Sequence, residues 1–161
     1  MKMSPLFVPR CFQLVGVPAS GKTTWIKKQT WALGLTVVST DSFVEDYARS
    51  EGKTYSDVFE EAMPMAIDQM LQQVVRAREL GHCIIWDQTS TTIQSRAKKF
   101  RMLPEYAHIA VVFETPEPAE LSRRLSSRQP GKTIPQEVME TMIKNFERPT
   151  LDEGFKEIWR G

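Results

Sequence analysis

A chain of 161 residues with 41% hydrophobic and 25% charged residues has the make-up of an ordinary soluble protein, long enough to bury a core without metals or disulfides. Basic and acidic side chains nearly cancel at a net charge of +1, so the total gives no nucleic-acid footprint and any basic patch must be local. No apolar run approaches the roughly 20 residues that span a bilayer, Met1 to Arg10 lacks an export signal, and Cys11 and Cys83 read as buried free thiols, which together point to a cytoplasmic protein without a membrane partner.

Cys11 to Val15 reads as a first strand and is followed by Gly16. A helix is expected from about Lys22 to Leu33, stopped by Gly34, and a second strand at Leu35 to Ser39. A polar stretch follows. Apolar residues from Phe59 to Val75 then recur at helical spacing, with Pro64 expected to kink the helix or start a new one and Gly81 to end it. Cys83 to Trp86 is a third strand, Ser90 to Arg101 a basic helix, His108 to Phe113 a fourth strand and Pro116 to Arg128 a further helix. Gln129-Pro130-Gly131-Lys132 breaks the chain before a last helix that opens at Pro135 and reaches about Phe146, and Phe155 to Trp159 reads as a short edge strand. Strands separated by helices predict an α/β fold, a mostly parallel sheet of four to five strands with helices on both faces. Residues 1–161 read as one domain without repeats.

Gly16-Val17-Pro18-Ala19-Ser20-Gly21-Lys22-Thr23 fits G-x-x-x-x-G-K-[ST], after a predicted strand and opening a predicted helix. Such a loop turns successive backbone N–H groups toward phosphate oxygens, and the start of the helix adds unpaired donors. Gly16, Ala19, Ser20, Gly21, Lys22, Thr23 and Thr24 are therefore the expected ATP-binding residues, with Lys22 at the β- and γ-phosphates and Thr23 on magnesium. ATP and Mg²⁺ are the implied cofactors.

Ligands of an open parallel sheet sit outside the carboxyl ends of its strands. The second strand ends at Ser39-Thr40-Asp41 and the third at Trp86-Asp87, so both carboxylates are expected on the phosphate edge. Transfer to a hydroxyl needs a proton acceptor, which Asp41 supplies, while Asp87 orders magnesium or its water; both also face the acceptor substrate. A helix cap for Asp41 and a turn residue for Asp87 are the plainer alternatives. Glu45 and Asp46 read as solvated. Arg124 and Arg128, four apart, share one face of a predicted helix ahead of the Pro-Gly break, as suits a lid (about residues 117–135) closing on a triphosphate; Arg123 faces elsewhere.

With these residues the chain resembles the kinase domain of the polynucleotide 5′-kinase family, which includes the bifunctional end-healing kinase/phosphatases. The phosphate loop, Ser39-Thr40-Asp41, Ile84-Ile85-Trp86-Asp87 and the arginine segment through Arg128 all carry the likeness. The tail, Ile134 to Val138 and Phe146-Glu147-Arg148-Pro149-Thr150-Leu151-Asp152-Glu153-Gly154-Phe155, discriminates more than the loop. The resemblance implies a P-loop kinase fold with a helical lid, Asp41 as general base, Arg128 as the transition-state arginine, and Arg124 and Asp87 as further active-site positions. It also implies transfer of the ATP γ-phosphate to a 5′-hydroxyl end of DNA or RNA. Two departures stand out. The phage-type enzymes carry an arginine for the acceptor's 3′-phosphate where this chain has Val44, and no D-x-D-x-T phosphatase motif is present.

A nucleic-acid acceptor could draw on Arg96, Lys98, Lys99 and Arg101 of the basic helix, with a solvated helix face as the alternative. Other acceptors compatible with the loop are a hydroxymethyl group on a modified pyrimidine in DNA and a small-metabolite alcohol; a nucleotide-binding switch would need no base such as Asp41. Trp25, Trp31 and Trp86 read as core or partly buried, His82 and His108 as structural, and Met63, Met65 and Met70 as core.

Overall fold

The computed structural model describes residues 7–29, 34–128 and 131–161. The expected extension of the first helix to Leu33, with Trp31, the Gln129-Pro130 part of the break, and Met1 to Leu6 of the N-terminal reading lie outside the described residues.

Five strands form one sheet: β1 (Arg10–Val15), β2 (Leu35–Ser39), β3 (Cys83–Asp87), β4 (Ala107–Val112) and β5 (Glu157–Arg160), in the spatial order β2-β3-β1-β4-β5 with every pair parallel. Parallel neighbours need crossovers, and six helices among the described residues supply them: α1 (Lys22–Gln29), α2 (Asp41–Glu51), α3 (Tyr55–Glu79), α4 (Ile93–Met102), α5 (Pro118–Ser126) and α6 (Gln136–Lys144). The expected α/β architecture with an edge strand near the C-terminus is therefore observed.

Alternation along the strands divides the core between two faces. Cys11, Val38, Ile84 and Trp86 pack under Met70, Val74 and Ala77 of α3, whereas Leu14, Ile85 and Val111 pack with Trp25 and Ile26 of α1. Leaving β1 the chain goes to β2, beyond β3, and leaving β3 it goes to β4 on the other side of β1. Connections that diverge from adjacent strands open a crevice at their carboxyl ends, between β1 and β3.

Several expectations need correction. The polar stretch after Ser39 contains α2, whose buried Val44 and Ala48 pack on Val58, Ala62 and Ala66 of α3. Only Val44 and Ala48 are fully buried there, with Phe43 and Tyr47 partly so, a pattern that the intervening polar residues mask. Helix α3 runs without a break through Pro64, which is exposed, so the carbonyl left unpaired one turn earlier faces water. Its start is fixed by a capping box in which the Thr54 side chain accepts from the Asp57 amide and the Asp57 carboxylate accepts from the Thr54 amide. Met65 is exposed, Met63 partly buried, and only Met70 of the three lies in the core. Cys11 is buried but Cys83 only partly so, and both are free thiols.

The basic helix is the largest departure. In α4, Arg96 has no exposed surface and pairs through Nε and Nη2 with the two carboxylate oxygens of Glu153, at 2.8 and 3.2 Å. Lys99 is also buried, its ammonium over the Trp86 ring at 5.3 Å and donating to the Ser95 carbonyl. Only Lys98 and Arg101 of that group remain on the surface. Both histidines are structural, as expected: the buried His108 bonds Gln13 and the Leu103 carbonyl, and His82 bonds Thr36. Among the described residues, no helix is long and apolar enough to cross a membrane.

Candidate active site

The loop after β1 is anchored from behind. The Gly16 amide donates to the Thr89 carbonyl at 2.9 Å, tying the end of β1 to the segment after β3. A side chain at Gly16 would place its first carbon 2.5 Å from Ser20 Oγ and 2.9 Å from Phe113 Cβ, so only glycine fits. Ala19 (φ 65°) and Gly21 (φ 106°) take left-handed conformations on either side of Ser20. For alanine this costs energy, and alternation of hand turns neighbouring N–H groups to one side and makes an anion-binding concavity. Lys22 folds back so that its ammonium donates to the carbonyls of Gly16 (2.7 Å) and Val17 (3.2 Å). Burial lowers its pKa to about 8 against the opposing pull of Asp87 and Asp41.

This loop forms one wall of a cavity of about 1400 Å³, larger than the roughly 300–1,000 Å³ of ordinary small-molecule sites. Apart from Gly16, which lies behind the loop, all the predicted site residues line it: Ala19, Ser20, Gly21, Lys22, Thr23, Thr24, Asp41, Asp87, Arg124 and Arg128. Two of them carry buried polar atoms without a hydrogen-bond partner among the described residues, Ser20 Oγ and Arg128 Nη1. A buried hydroxyl and a buried guanidinium nitrogen left unpaired beside a nest of amides fit a bound polyphosphate. The same donor set could hold ATP, with the Thr23 hydroxyl and Asp87 as oxygen ligands for Mg²⁺. Among the described residues no cluster of three or more His, Cys, Asp or Glu could hold a metal, so a metal here would take further oxygens from the substrate.

Asp87 closes β3 level with Ser39 of β2, and burial, followed by the neighbouring Asp41 charge, raises its pKa while Lys22 opposes that rise. Asp41 opens α2, its amide donating to Ser39 Oγ at 3.1 Å. Its side chain is half exposed and holds a donor on each oxygen: the Tyr55 hydroxyl on Oδ1 at 2.8 Å and Lys132 Nζ on Oδ2 at 3.3 Å. Burial and the Asp41 charge push the Tyr55 phenol well above its ordinary value, which keeps it a donor. Lys132 also bonds Glu45 at 2.8 Å, so Glu45 is an ion-pair partner and not a solvated residue. Asp46 does lie on the surface, paired with Arg49.

The arginines differ from their expected arrangement. Arg124 lies on α5, donating from Nε to Glu120 at 2.8 Å and from Nη1 to the Ala19 carbonyl at 3.0 Å. Arg128 lies past the end of α5 at Ser126, so the two do not share a helix face, although the same cavity receives both. Arg123 pairs with Glu120 at the surface, facing elsewhere as expected. Tyr55 and Lys132 were not legible as site residues: Tyr55 sits in a polar stretch with no motif, and Lys132 in what reads as a chain break. Val44 is fully buried between α2 and α3 and does not line the cavity.

The AAA domain family (AAA_33) matches residues 12–149. No curated protein matches the chain in sequence. Among solved structures, a candidate kinase from Chloroflexus aurantiacus J-10-fl superposes with a TM-score of 0.71 at 18% identity, covering 96% of this chain and 88% of that one. A chain of the Pnkp1/Rnl/Hen1 RNA repair complex matches with a TM-score of 0.67 at 22% identity, over 86% of this chain and 44% of that one. A gluconokinase from Sinorhizobium meliloti 1021 gives 0.55 at 18% identity, over 94% and 81%. At these identities the likeness is one of fold. With the parallel sheet, the phosphate loop and a family match over most of its length, the chain belongs to the AAA domain family.

Proposed function

We propose that residues 1–161 act as one ATP-dependent kinase domain, with the lid at about 117–135, that transfers the γ-phosphate of ATP to a hydroxyl of a nucleic acid, in the first instance a 5′-hydroxyl end of DNA or RNA. The observation that carries the phosphotransferase reading is the meeting, in one cavity, of a phosphate loop with unpaired buried donors and the half-exposed carboxylate of Asp41, just beyond the end of β2. Ala19, Ser20, Gly21, Lys22, Thr23 and Thr24 bind and orient the triphosphate, Gly16 holds the loop in shape from behind, and Arg124 and Arg128 add positive charge from the lid side. Magnesium held by Thr23 and Asp87 supplies charge neutralisation on the phosphates. Asp41 orients the acceptor hydroxyl and takes its proton on a carboxylate oxygen, whose remaining lone pairs are not used by Tyr55 or Lys132. The cavity exceeds what one nucleotide fills, which supports a second substrate beside the first.

The nucleic-acid acceptor is supported by the tail from Phe146 to Phe155 and by the neighbour drawn from an RNA repair complex. A specific observation favours a second reading, a small alcohol: Arg96 and Lys99 are buried and Val44 is core, so the surface cations available to a phosphate backbone are fewer than the sequence promises. Incubation with radiolabelled ATP, magnesium and a panel of acceptors separates the two. The panel comprises 5′-hydroxyl single strands and duplexes, hydroxymethyl-pyrimidine DNA and small alcohols. Label in an oligonucleotide that weakens steeply with salt supports the first reading. Label only in a small alcohol establishes the second, and transfer to none of them ends the kinase assignment.

A further inference from the structure

Past the end of α5 the chain returns to the site and is fastened to the start of α3. The Gly131 carbonyl accepts from the Ser56 amide at 2.9 Å, and the Thr133 amide donates to Ser56 Oγ at 3.1 Å. Gly131 has φ 81°, and a side chain there would meet Thr54 Cβ at 2.4 Å, so this approach requires glycine. Between these two fastenings lies Lys132, only 14% exposed, with its ammonium 4.7 Å above the Tyr55 ring and bonded to Asp41 Oδ2 and Glu45 Oε1. A long flexible cation held from both sides of its own backbone and given three partners is a built feature, unlike an exposed ion pair of opportunity.

We propose that Lys132 is a positioning residue for the reaction, delivered by the fastening of Gly131-Lys132-Thr133 to α3, and that with Tyr55 it fixes the rotamer of the Asp41 carboxylate. This deepens the reading of Asp41 as proton acceptor and rests on it. One donor on each oxygen determines the plane of the carboxylate, leaving its outer lone pairs for the acceptor hydroxyl. The lysine comes from the lid side and the tyrosine from α3, so the orientation of the base depends on the lid segment being seated. The cation that bonds Asp41 thus comes from this segment. The charged or titratable groups around Asp41 are Tyr55 from α3, Glu45 one turn along α2, Lys22 from α1, Asp87 at the end of β3, Arg128 beyond α5, and Lys132 itself.

The test has two arms on the full chain. In the first, the carboxyl-carbon NMR resonance of Asp41 is compared at neutral pH in the wild type, Lys132→Met, Lys132→Arg, Gly131→Ala and Ser56→Ala. Loss of the donor on Oδ2 displaces and broadens that resonance in Lys132→Met, as the carboxylate samples other rotamers. Lys132→Arg restores it, and Gly131→Ala moves it the same way without touching the lysine; Ser56→Ala stands in where Gly131→Ala does not fold. A resonance unmoved in Lys132→Met, or unmoved in both unfastening variants, overturns the proposal. In the second arm, with whichever acceptor the wild type phosphorylates, Lys132→Met lowers kcat by about tenfold or more and leaves KM for ATP within about twofold. Unchanged kcat overturns the positioning role even if the Asp41 resonance moves. A wild type inactive on every acceptor ends the kinase reading, while the Asp41 resonance still decides whether the lysine is delivered to that carboxylate.

Discussion

The ammonium of Lys22 stands 2.7 Å from the carbonyl oxygen of Gly16, six residues earlier, and so closes the phosphate loop upon itself. The first fixed residue of the motif thus holds the lysine that phosphate oxygens would otherwise attract. Because the lysine is largely buried there, its charge is kept at a cost, which the fall of its pKa to about 8 records.

That cost gives a pH dependence with a definite sign. Between about 8, the folded value, and the ordinary 10.5, the unfolded chain binds more protons at this site than the folded one. Stability therefore gains from this group as pH rises through that window, and the destabilising contribution is fully present below it. Lys99, lowered to about 8 by burial, pulls in the same direction, so the effect of Lys22 is read as a difference. Urea melts of the wild type and Lys22→Met at pH 7 and pH 10 should show the gap between them shift toward the wild type at the higher pH. A gap independent of pH would mean that the buried ammonium carries no such cost. Nucleotide binding by Lys22→Met, followed by calorimetry, should be lost with the fold intact.

For Asp41→Asn, turnover should fall by roughly 10² to 10⁴ while nucleotide affinity stays near that of the wild type. The amide keeps the shape of the carboxylate and can still accept from Tyr55 or Lys132, but it cannot take the acceptor's proton at neutral pH. Single-turnover transfer from labelled ATP separates this chemical defect from slow product release. Near-normal transfer would remove Asp41 from the role of base.

Arg96 offers a prediction on stability alone. It has no exposed surface, donates from Nη1 to the Ser90 carbonyl at 2.9 Å, and shares both oxygens of Glu153, which in turn accepts from the Thr150 amide. The pair ties α4 to the short 3-10 turn Leu151–Glu153 ahead of β5. Arg96→Met leaves a nearly buried carboxylate unpaired and should cost about 3–5 kcal/mol, whereas Arg96→Met with Glu153→Met should recover much of that loss. Denaturant melts of the three proteins measure it. A single variant as stable as the wild type would show that water reaches Glu153.

The legible part of this protein is where local rules act alone. The loop motif, the branched-residue strands and Asp87 at the end of an apolar run are all decided by residues close in sequence, and they appear where expected. What was illegible depends on partners far along the chain. Arg96 reads as a surface cation until Glu153, 57 residues away, is folded against it. Glu45 reads as solvated until Lys132 arrives from 87 residues on. Helix α2 escapes notice because only Val44 and Ala48 of its eleven residues are buried. Arg124 and Arg128 were paired by helical spacing, but α5 ends at Ser126, and the cavity unites them by geometry that spacing cannot encode.

The two lid arginines should separate in experiment, because one is fully engaged and the other is not. Arg124 already bonds Glu120 and the Ala19 carbonyl, so Arg124→Ala should loosen the phosphate loop, weaken nucleotide binding and lower the melting temperature. Arg128 Nη1 is buried without a partner among the described residues, and an unpaired buried donor costs free energy. Arg128→Ala should therefore melt at or slightly above the wild-type temperature. If the unpaired nitrogen is kept for charge that develops during transfer, the same variant should lose about 10³-fold in kcat, with a much smaller change in nucleotide affinity. A destabilised Arg128→Ala with unaltered kcat would reverse the assignment, making Arg128 a packing residue and leaving Arg124 as the arginine that meets the phosphates.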